Sequence, residues 1–113
     1  MIEVNYIDNK EERTIRLQIT GHAATAPKGQ DLVCAAVTTL LLTAAETVTY
    51  LDNFGVFQVK PRIRIEAADS EIFVVAKENG LAIVNNTFVP IRFGLLMLAR
   101  KFPDCIRVDQ HFK

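Results

Sequence analysis

The sequence contains little of several residue types on which particular protein classes depend. Its 113 residues include no tryptophan, two cysteines, and 13 basic against 13 acidic side chains. Two cysteines form at most one disulfide, too few for the framework of a small secreted domain. Because there is no basic excess to neutralise phosphates, direct binding of nucleic acid is not expected.

Long apolar runs are also lacking. No uninterrupted apolar stretch approaches the roughly 20 residues of a membrane-spanning helix, and residues 1–5 lack the basic start of a secretion signal. The hydrophobic fraction of 50% rules out disorder, and the length allows one domain over residues 1–113. We therefore expect a cytoplasmic globular protein with free thiols, no membrane segment and no cofactor.

Apolar periodicity predicts an α+β fold. Period-2 alternation or short apolar runs indicate five strands, and helical spacing indicates a long helix from about Leu32 to Tyr50 and a second from Phe88 to Phe102. The predicted order is ββαββαβ, a two-layer sandwich in which two helices pack on one face of a mostly antiparallel sheet. The predicted strands cover residues 2–6, 15–19, 63–67, 72–76 and 106–108.

Three local features of this scheme depend on single residues. Asp31 precedes the apolar run of the first helix and is expected to be its N-cap. Pro90 is tolerable only if it lies near the first turn of the second helix. The stretch 77–86 is compatible either with a turn into a further strand or with a lead into that helix.

The candidate catalytic residues lie in one segment. It consists of Gly21-His22-Ala23 and, after a loop, Gly29-Gln30-Asp31-Leu32-Val33-Cys34-Ala35-Ala36. It places His22 at the end of a strand and, with Asp31 as the cap, Cys34 third in a helix. The unpaired amides and positive dipole end of a helix N-terminus favour thiolate over thiol. A neighbouring imidazole favours it further, as in the activated Cys/His pair of nucleophilic catalysis.

The alternative is that Cys34 is structural, because free cysteine is among the most buried residue types. Cys34 lies about 100° around the helix from Val33, at the edge of the core stripe, which leaves it room to face a site. The protein is then either a Cys/His enzyme or a non-catalytic peptide-binding or assembly factor, and both hypotheses stay open on these residues.

The remaining candidates are weaker. Cys105 fits a terminal strand and is expected to be inert, while His111 near the C-terminus is expected to be solvated. Cys105 and His111 are too far along the sequence from His22 and Cys34 to give the closely spaced Cys/His pairs of a zinc site, so no metal is expected.

The same segment resembles the ribosomal-processing cysteine protease family called Prp. That family carries Gly-His-Ala, a variable loop and Gly-x-Asp-Ile-Val-Cys-Ala, with the same separation of 11 residues between histidine and cysteine that occurs here. Leu32 replaces the commoner isoleucine, and Thr38 stands where a serine is usual, which keeps a hydroxyl but adds a methyl group.

The resemblance implies a cytoplasmic, homodimeric cysteine endopeptidase that removes the N-terminal extension of large-subunit ribosomal protein number twenty-seven. It implies that Cys34 is the nucleophile and His22 its general base, and that Asp31 orients the site. Gly21 and Gly29 would let the loop between them fold over the substrate. Substrates of this family are cut beside paired phenylalanines, so an apolar cleft is expected.

Overall fold

Segments in which apolar and polar residues alternate form a five-stranded mixed sheet, and two long helices cover one face of it. The computed structural model describes residues 1–21 and 30–113, with the side chains of Gln30 and Asp31 outside this description. The elements in chain order are β1 (Ile2–Asn9), β2 (Thr14–Thr20), α1 (Gln30–Leu51), β3 (Arg62–Arg64), β4 (Asp69–Val75), α2 (Leu81–Lys101) and β5 (Ile106–Phe112).

The sheet order is β3-β4-β2-β1-β5. The pairs β1–β2, β2–β4 and β3–β4 are antiparallel, while β1 and β5 run parallel. This confirms the α+β prediction and the order ββαββαβ. Strand β5 extends to Phe112 and so includes His111, which the alternation at 106–108 did not cover.

The core lies between the sheet and the helices. In β1, β2 and β4 the residues in one phase are buried, while their neighbours in the opposite phase are half-buried or exposed. Both helices bury a stripe against that face, and Phe88 of α2 is completely buried at its centre. The fully buried set includes Val4, Leu17, Val33, Val48, Ile72, Val74, Val84, Phe88, Leu95 and Ile106.

The second helix begins seven residues earlier than predicted, so the stretch 77–86 forms a 3₁₀ turn (Glu78–Gly80) and the start of α2. Pro90 is therefore the tenth residue of α2, and the prediction that it lies in the first turn is wrong. The proline deprives the Asn86 carbonyl of its helical donor. Pro90 and Asn86 are both exposed, so solvent replaces the lost hydrogen bond.

Two segments, Leu32–Phe54 and Glu78–Lys101, are long and apolar enough to cross a membrane by length and composition alone. Core helices of folded proteins pass the same criterion, and each of these helices buries one stripe against the sheet. The expectation of no membrane segment therefore stays a prediction.

Candidate active site

Cys34 is the central residue of the candidate site, and it lies on α1 at the edge of the buried stripe. Its side chain is half-buried and packs against the core, between the buried Val33 and the exposed Ala35. This confirms the helical-wheel argument from the sequence. A thiol placed in this way is neither a core side chain nor a freely solvated one.

The helix begins at Gln30, so Asp31 is the second helical residue, and the prediction that it is the N-cap is wrong. Glutamine has good helix propensity, and the helix begins two residues earlier than the predicted start at Leu32. A carboxylate in the first turn still interacts favourably with the helix dipole. Cys34 becomes the fifth helical residue, and the amides without intrahelical acceptors lie in the turn that precedes it.

A cleft of about 340 Å³ opens beside Cys34. One side is formed by α1 and the ends of β1 and β2, and the other by the turn between β3 and β4. Apolar side chains dominate the interior, as the resemblance implied, while Glu66 and Asp69 are exposed at its mouth. The lining residues are Ile2, Ile19, Gly21, Cys34, Val37, Thr38, Leu41 and the run Ile65–Ser70.

Gly21 closes the end of β2 and lines the same cleft. Its φ of +83° lies in the left-handed region that favours glycine, and a Cβ here would collide with the carbonyl oxygen of Met1. Its N–H donates to the carbonyl of Ala68 at 3.0 Å. The requirement for glycine at this position is therefore conformational and steric.

The structure thus brings three of the predicted site residues together around one cleft: Gly21, Cys34 and Thr38. Thr38 lies one helical turn after Cys34 and is exposed. His22, Gly29 and the loop between the two glycines lie outside the described residues, and so does the side chain of Asp31. Their roles stay predictions.

The β3–β4 turn is the part of the site that the sequence analysis did not identify. Ser70 is in phase with the buried Ile72 and Val74, and it is the only buried side chain among those described that is neither apolar nor aromatic. A lone hydroxyl on the core face of a strand is a detectable signal, because buried polar groups require partners.

Charges near the cleft mouth are paired among themselves. Arg64 contacts Asp69 at 2.8 Å and Glu66 at 3.8 Å. The hydrogen bond that Arg64 donates to the Asp69 carboxylate raises the pKa of Arg64 above its usual value. These exposed pairs order the turn but contribute little to stability.

The other two candidates lie elsewhere. Cys105 is 3% exposed and immediately precedes β5, while His111 is exposed on β5. Within the ranges 1–21 and 30–113, no three His, Cys, Asp or Glu side chains form a group that could hold a metal ion.

A half-buried thiol beside an apolar cleft, on an α+β scaffold, is an arrangement suited to a small cysteine peptidase. Comparison with protein families makes the assignment: the sequence model described as "Cysteine protease Prp" matches residues 1–107, and the chain belongs to that family. Comparison with curated protein sequences finds no match.

Solved structures agree in fold. The essential ribosomal processing protease Prp from S. aureus, in complex with a substrate peptide, matches with a TM-score of 0.72 and 17% identity over 97% of this chain and 99% of that chain. The same S. aureus protease with a covalently linked product peptide gives 0.66 and 19% over 100% of both chains. SMU.848 from Streptococcus mutans gives 0.70 and 22% over 100% of this chain and 99% of that one. The chain is accordingly a cysteine protease with the fold of these proteins.

Proposed function

We propose that this protein is a cysteine endopeptidase that removes the N-terminal extension of large-subunit ribosomal protein number twenty-seven, with Cys34 as nucleophile and His22 as general base. The observation that carries the proposal is the half-buried thiol of Cys34 on the wall of an apolar cleft of about 340 Å³. A cleft of that size accommodates one or two large side chains of an extended peptide, which suits a substrate cut beside paired phenylalanines.

The reaction follows from the chemistry of the pair. His22 removes the thiol proton, and the Cys34 sulfur attacks the scissile carbonyl carbon to form a tetrahedral intermediate. Unpaired amides in the first turn of α1 stabilise its oxyanion, an interaction that contributes about 3 kcal/mol per donor in other enzymes. His22 then protonates the leaving amine, and water hydrolyses the acyl-enzyme. The covalently linked product peptide of the S. aureus relative supports a covalent route for this chain.

The apolar walls explain why a short motif would be selected. Ile19 and Leu41 are buried, whereas Ile65, which also lines the cleft, is 41% exposed. Burying a phenylalanine side chain against such walls contributes about 1.5–3 kcal/mol, and more where two rings are enclosed. Apolar contact therefore supplies the binding energy, while the thiol and imidazole supply the chemistry.

Mass spectrometry of a synthetic peptide tests the proposal directly. The peptide carries the ribosomal protein's N-terminal extension and the first residues of the mature chain. We expect the protein to cut one bond beside the paired phenylalanines, and to leave intact a matched peptide in which both are replaced by serine. Cleavage of both peptides at equal rates, or binding of the first without cleavage, contradicts the proposed substrate.

We propose further that two copies associate through the outer faces of the helices, in the cytoplasm. Val89, Phe93 and Met97 form an i, i+4, i+8 stripe on the exposed side of α2. Few charged side chains surround this stripe. Glu46 is the only charged residue in the range 32–51, and Arg92 is the only one in the range 81–99. Arg92 stacks over the rings of Tyr6, Phe93 and Phe112. Exposed apolar stripes of this kind mark interaction sites, and an uncharged face is compatible with an identical copy of itself.

Sedimentation equilibrium of the wild type and of Phe93→Glu measures this association. We expect a dimer for the wild type, and a dissociation constant at least 100-fold weaker for the variant, because two carboxylates would be buried across the two-fold axis. Val59→Glu is the matched control, since Val59 is also 53% exposed but lies outside both helices. A wild-type monomer that co-sediments with lipid vesicles would instead assign the apolar stripe to a membrane surface.

A further inference from the structure

Strand β3 lies at one edge of the sheet and pairs with β4 alone, so its other side has no partner strand among the described residues. Antiparallel strands alternate between positions that exchange backbone hydrogen bonds with the neighbour and positions that do not. The paired residues of this hairpin are Arg62↔Phe73, Ile63↔Ile72 and Arg64↔Glu71. The phase of the alternation decides which backbone groups the edge offers to another chain.

The hydrogen bond that closes the hairpin fixes this phase. The Asp69 N–H donates to the Glu66 carbonyl at 3.3 Å, so Glu66 and Asp69 occupy a hydrogen-bonded position. In the same register Arg64, two residues earlier, also turns its backbone groups toward β4. Ile63 and Ile65 therefore direct their N–H and C=O groups away from β4, to the open edge. The backbone groups of Ile65 accordingly have no backbone partner within the part of the chain that the structure describes.

The side chains of the same two isoleucines continue the apolar wall of the cleft. Ile63 pairs with the fully buried Ile72, and the continued register places Ile65 opposite the buried Ser70, so both project from the face that the helices cover. They are nevertheless 37% and 41% exposed, because neither helix covers this edge. Ile65 lines the cleft together with Cys34. Free backbone groups, exposed apolar side chains and the candidate nucleophile are thus continuous along one edge of the sheet.

The charged side chains of β3 leave this edge accessible. Charged residues often protect edge strands against pairing with other chains. Here both arginines fold back over β4: the Arg62 guanidinium lies 4.7 Å from the centroid of the Phe73 ring, and that of Arg64 lies 2.8 Å from the Asp69 carboxylate. They occupy the face opposite to the two isoleucines, since successive side chains of a strand alternate.

We propose that the substrate of this protease binds as an added strand on β3, with its backbone paired to Ile63 and Ile65, which brings its scissile bond to Cys34. This inference rests on the proposed function and describes how that peptide is held. The occupant is an extended peptide because the chain belongs to a peptidase family. Strand addition obtains affinity from main-chain hydrogen bonds and specificity from alternate side chains.

The binding mode has a consequence for a pair of adjacent phenylalanines. Neighbouring side chains of a strand point to opposite faces, so only one of the two rings enters the cleft beside Ile65. The other lies on the face that carries Arg62 and Arg64. The cleft of about 340 Å³ therefore needs to hold a single ring.

Cleavage of N-methylated peptides tests strand addition. Each peptide is the ribosomal extension peptide with one backbone amide methylated, at successive positions on both sides of the scissile bond, the scissile amide excluded. We expect kcat/KM to fall about 10-fold at every second position on at least one side, where a donor to β3 is lost, and less than about threefold at the positions between. Losses of equal size at all positions, or no loss at any, would overturn the proposal.

Ile65→Pro and Ile65→Ala separate the backbone of this residue from its side chain. The proline removes the N–H at the open edge but no hydrogen bond to β4, and proline is tolerated at such edge positions. The alanine keeps the N–H and removes most of the side chain. We expect kcat/KM to be at least about 10-fold lower in Ile65→Pro than in Ile65→Ala, with similar melting temperatures.

Val59→Ala is the matched control, because Val59 is also exposed but lies outside the strands, and it should leave kcat/KM unchanged. Equal losses in the two Ile65 variants contradict strand addition. If Ile65→Pro does not fold, the N-methyl series on the wild type decides the question alone.

The two proposals fail separately. If the wild type leaves the ribosomal peptide intact, that substrate is wrong, and strand addition is measured with a Phe-Phe peptide vinyl sulfone, which alkylates Cys34 after binding and without cleavage. Labelling rates that fall at every second N-methylated position of this probe support strand addition. Rates without that period, or labelling no faster than by methyl vinyl sulfone, contradict it. If the wild type cleaves the ribosomal peptide and methylation has no period of two, only strand addition is lost.

Discussion

Replacing Cys34 by alanine will lower the rate of peptide cleavage by more than about 10⁴-fold, the scale seen when a covalent nucleophile is removed from other proteases. Without the sulfur no acyl-enzyme forms, and the methyl group of alanine cannot substitute for it. The fold should persist, because the side chain is only half-buried at the edge of the core. Far-UV circular dichroism with quantitative product analysis checks both expectations on the same samples.

Cys105→Ala is the matched control, since it removes the other free thiol of the chain. Cys105 is 3% exposed among core residues, so its loss should lower stability by about 1 kcal/mol and leave kcat unchanged. Alkylation separates the two thiols in the wild type, because the half-buried Cys34 should react first while the buried Cys105 is protected. Residual cleavage in Cys34→Ala at more than about 1% of the wild-type rate would refute the assignment of the nucleophile.

Strands β1, β2 and β4 and the first helix were predictable because each has a single buried face. Ile2, Val4 and Tyr6 alternate into the core, and Val33, Val37 and Val48 recur at helical spacing. The same periodicity placed Cys34 at the edge of the buried stripe, which the structure confirms. Sequence reasoning succeeded for these elements because apolar residues recur along each of them with the period of its secondary structure.

Prediction from the sequence failed where tertiary packing overrides the local conformational preference of the chain. The stretch Asn85-Asn86-Thr87 has low helix propensity and concealed the first two turns of α2, which are fixed by the burial of Val84 and Phe88 against the sheet. The cap at Asp31 was misplaced because aspartate is favourable both at the N-cap and in the first turn.

The β3–β4 turn, which forms one side of the cleft, could not be predicted as part of the site for a different reason. The β3–β4 turn meets Gly21 only because β2 and β4 pair antiparallel, which brings Thr20 opposite Asp69. No local pattern encodes that pairing. Within the turn the Ser70 hydroxyl bonds the backbone of Glu66, only four residues earlier in the chain, and that contact depends on the conformation of the turn.

Gly21→Ala is expected to have the largest effect on stability among substitutions near the site. Two costs add: an alanine at a φ of +83° is strained by about 1–2 kcal/mol, and its Cβ would overlap the Met1 carbonyl oxygen, a backbone atom that cannot rotate away. Displacing Met1 would also disturb Ile2, whose N–H donates to the Cys105 carbonyl at 2.9 Å. A total of about 3 kcal/mol lowers the melting temperature by roughly 10–20 °C for a domain of this size.

Gly55→Ala separates the two costs, because Gly55 also has a positive φ, of +68°, but a Cβ there would meet only the flexible end of Lys77, at 3.8 Å. It should cost only the conformational strain of about 1 kcal/mol and leave kcat unchanged. Measured well below both melting temperatures, Gly21→Ala should in addition lose activity about 10- to 100-fold, because it moves the residue before His22 and the cleft wall formed by Ile2. If the two glycine variants lose equal stability, the clash with Met1 is not real. If Gly21→Ala is unstable but keeps full kcat, Gly21 serves the fold alone.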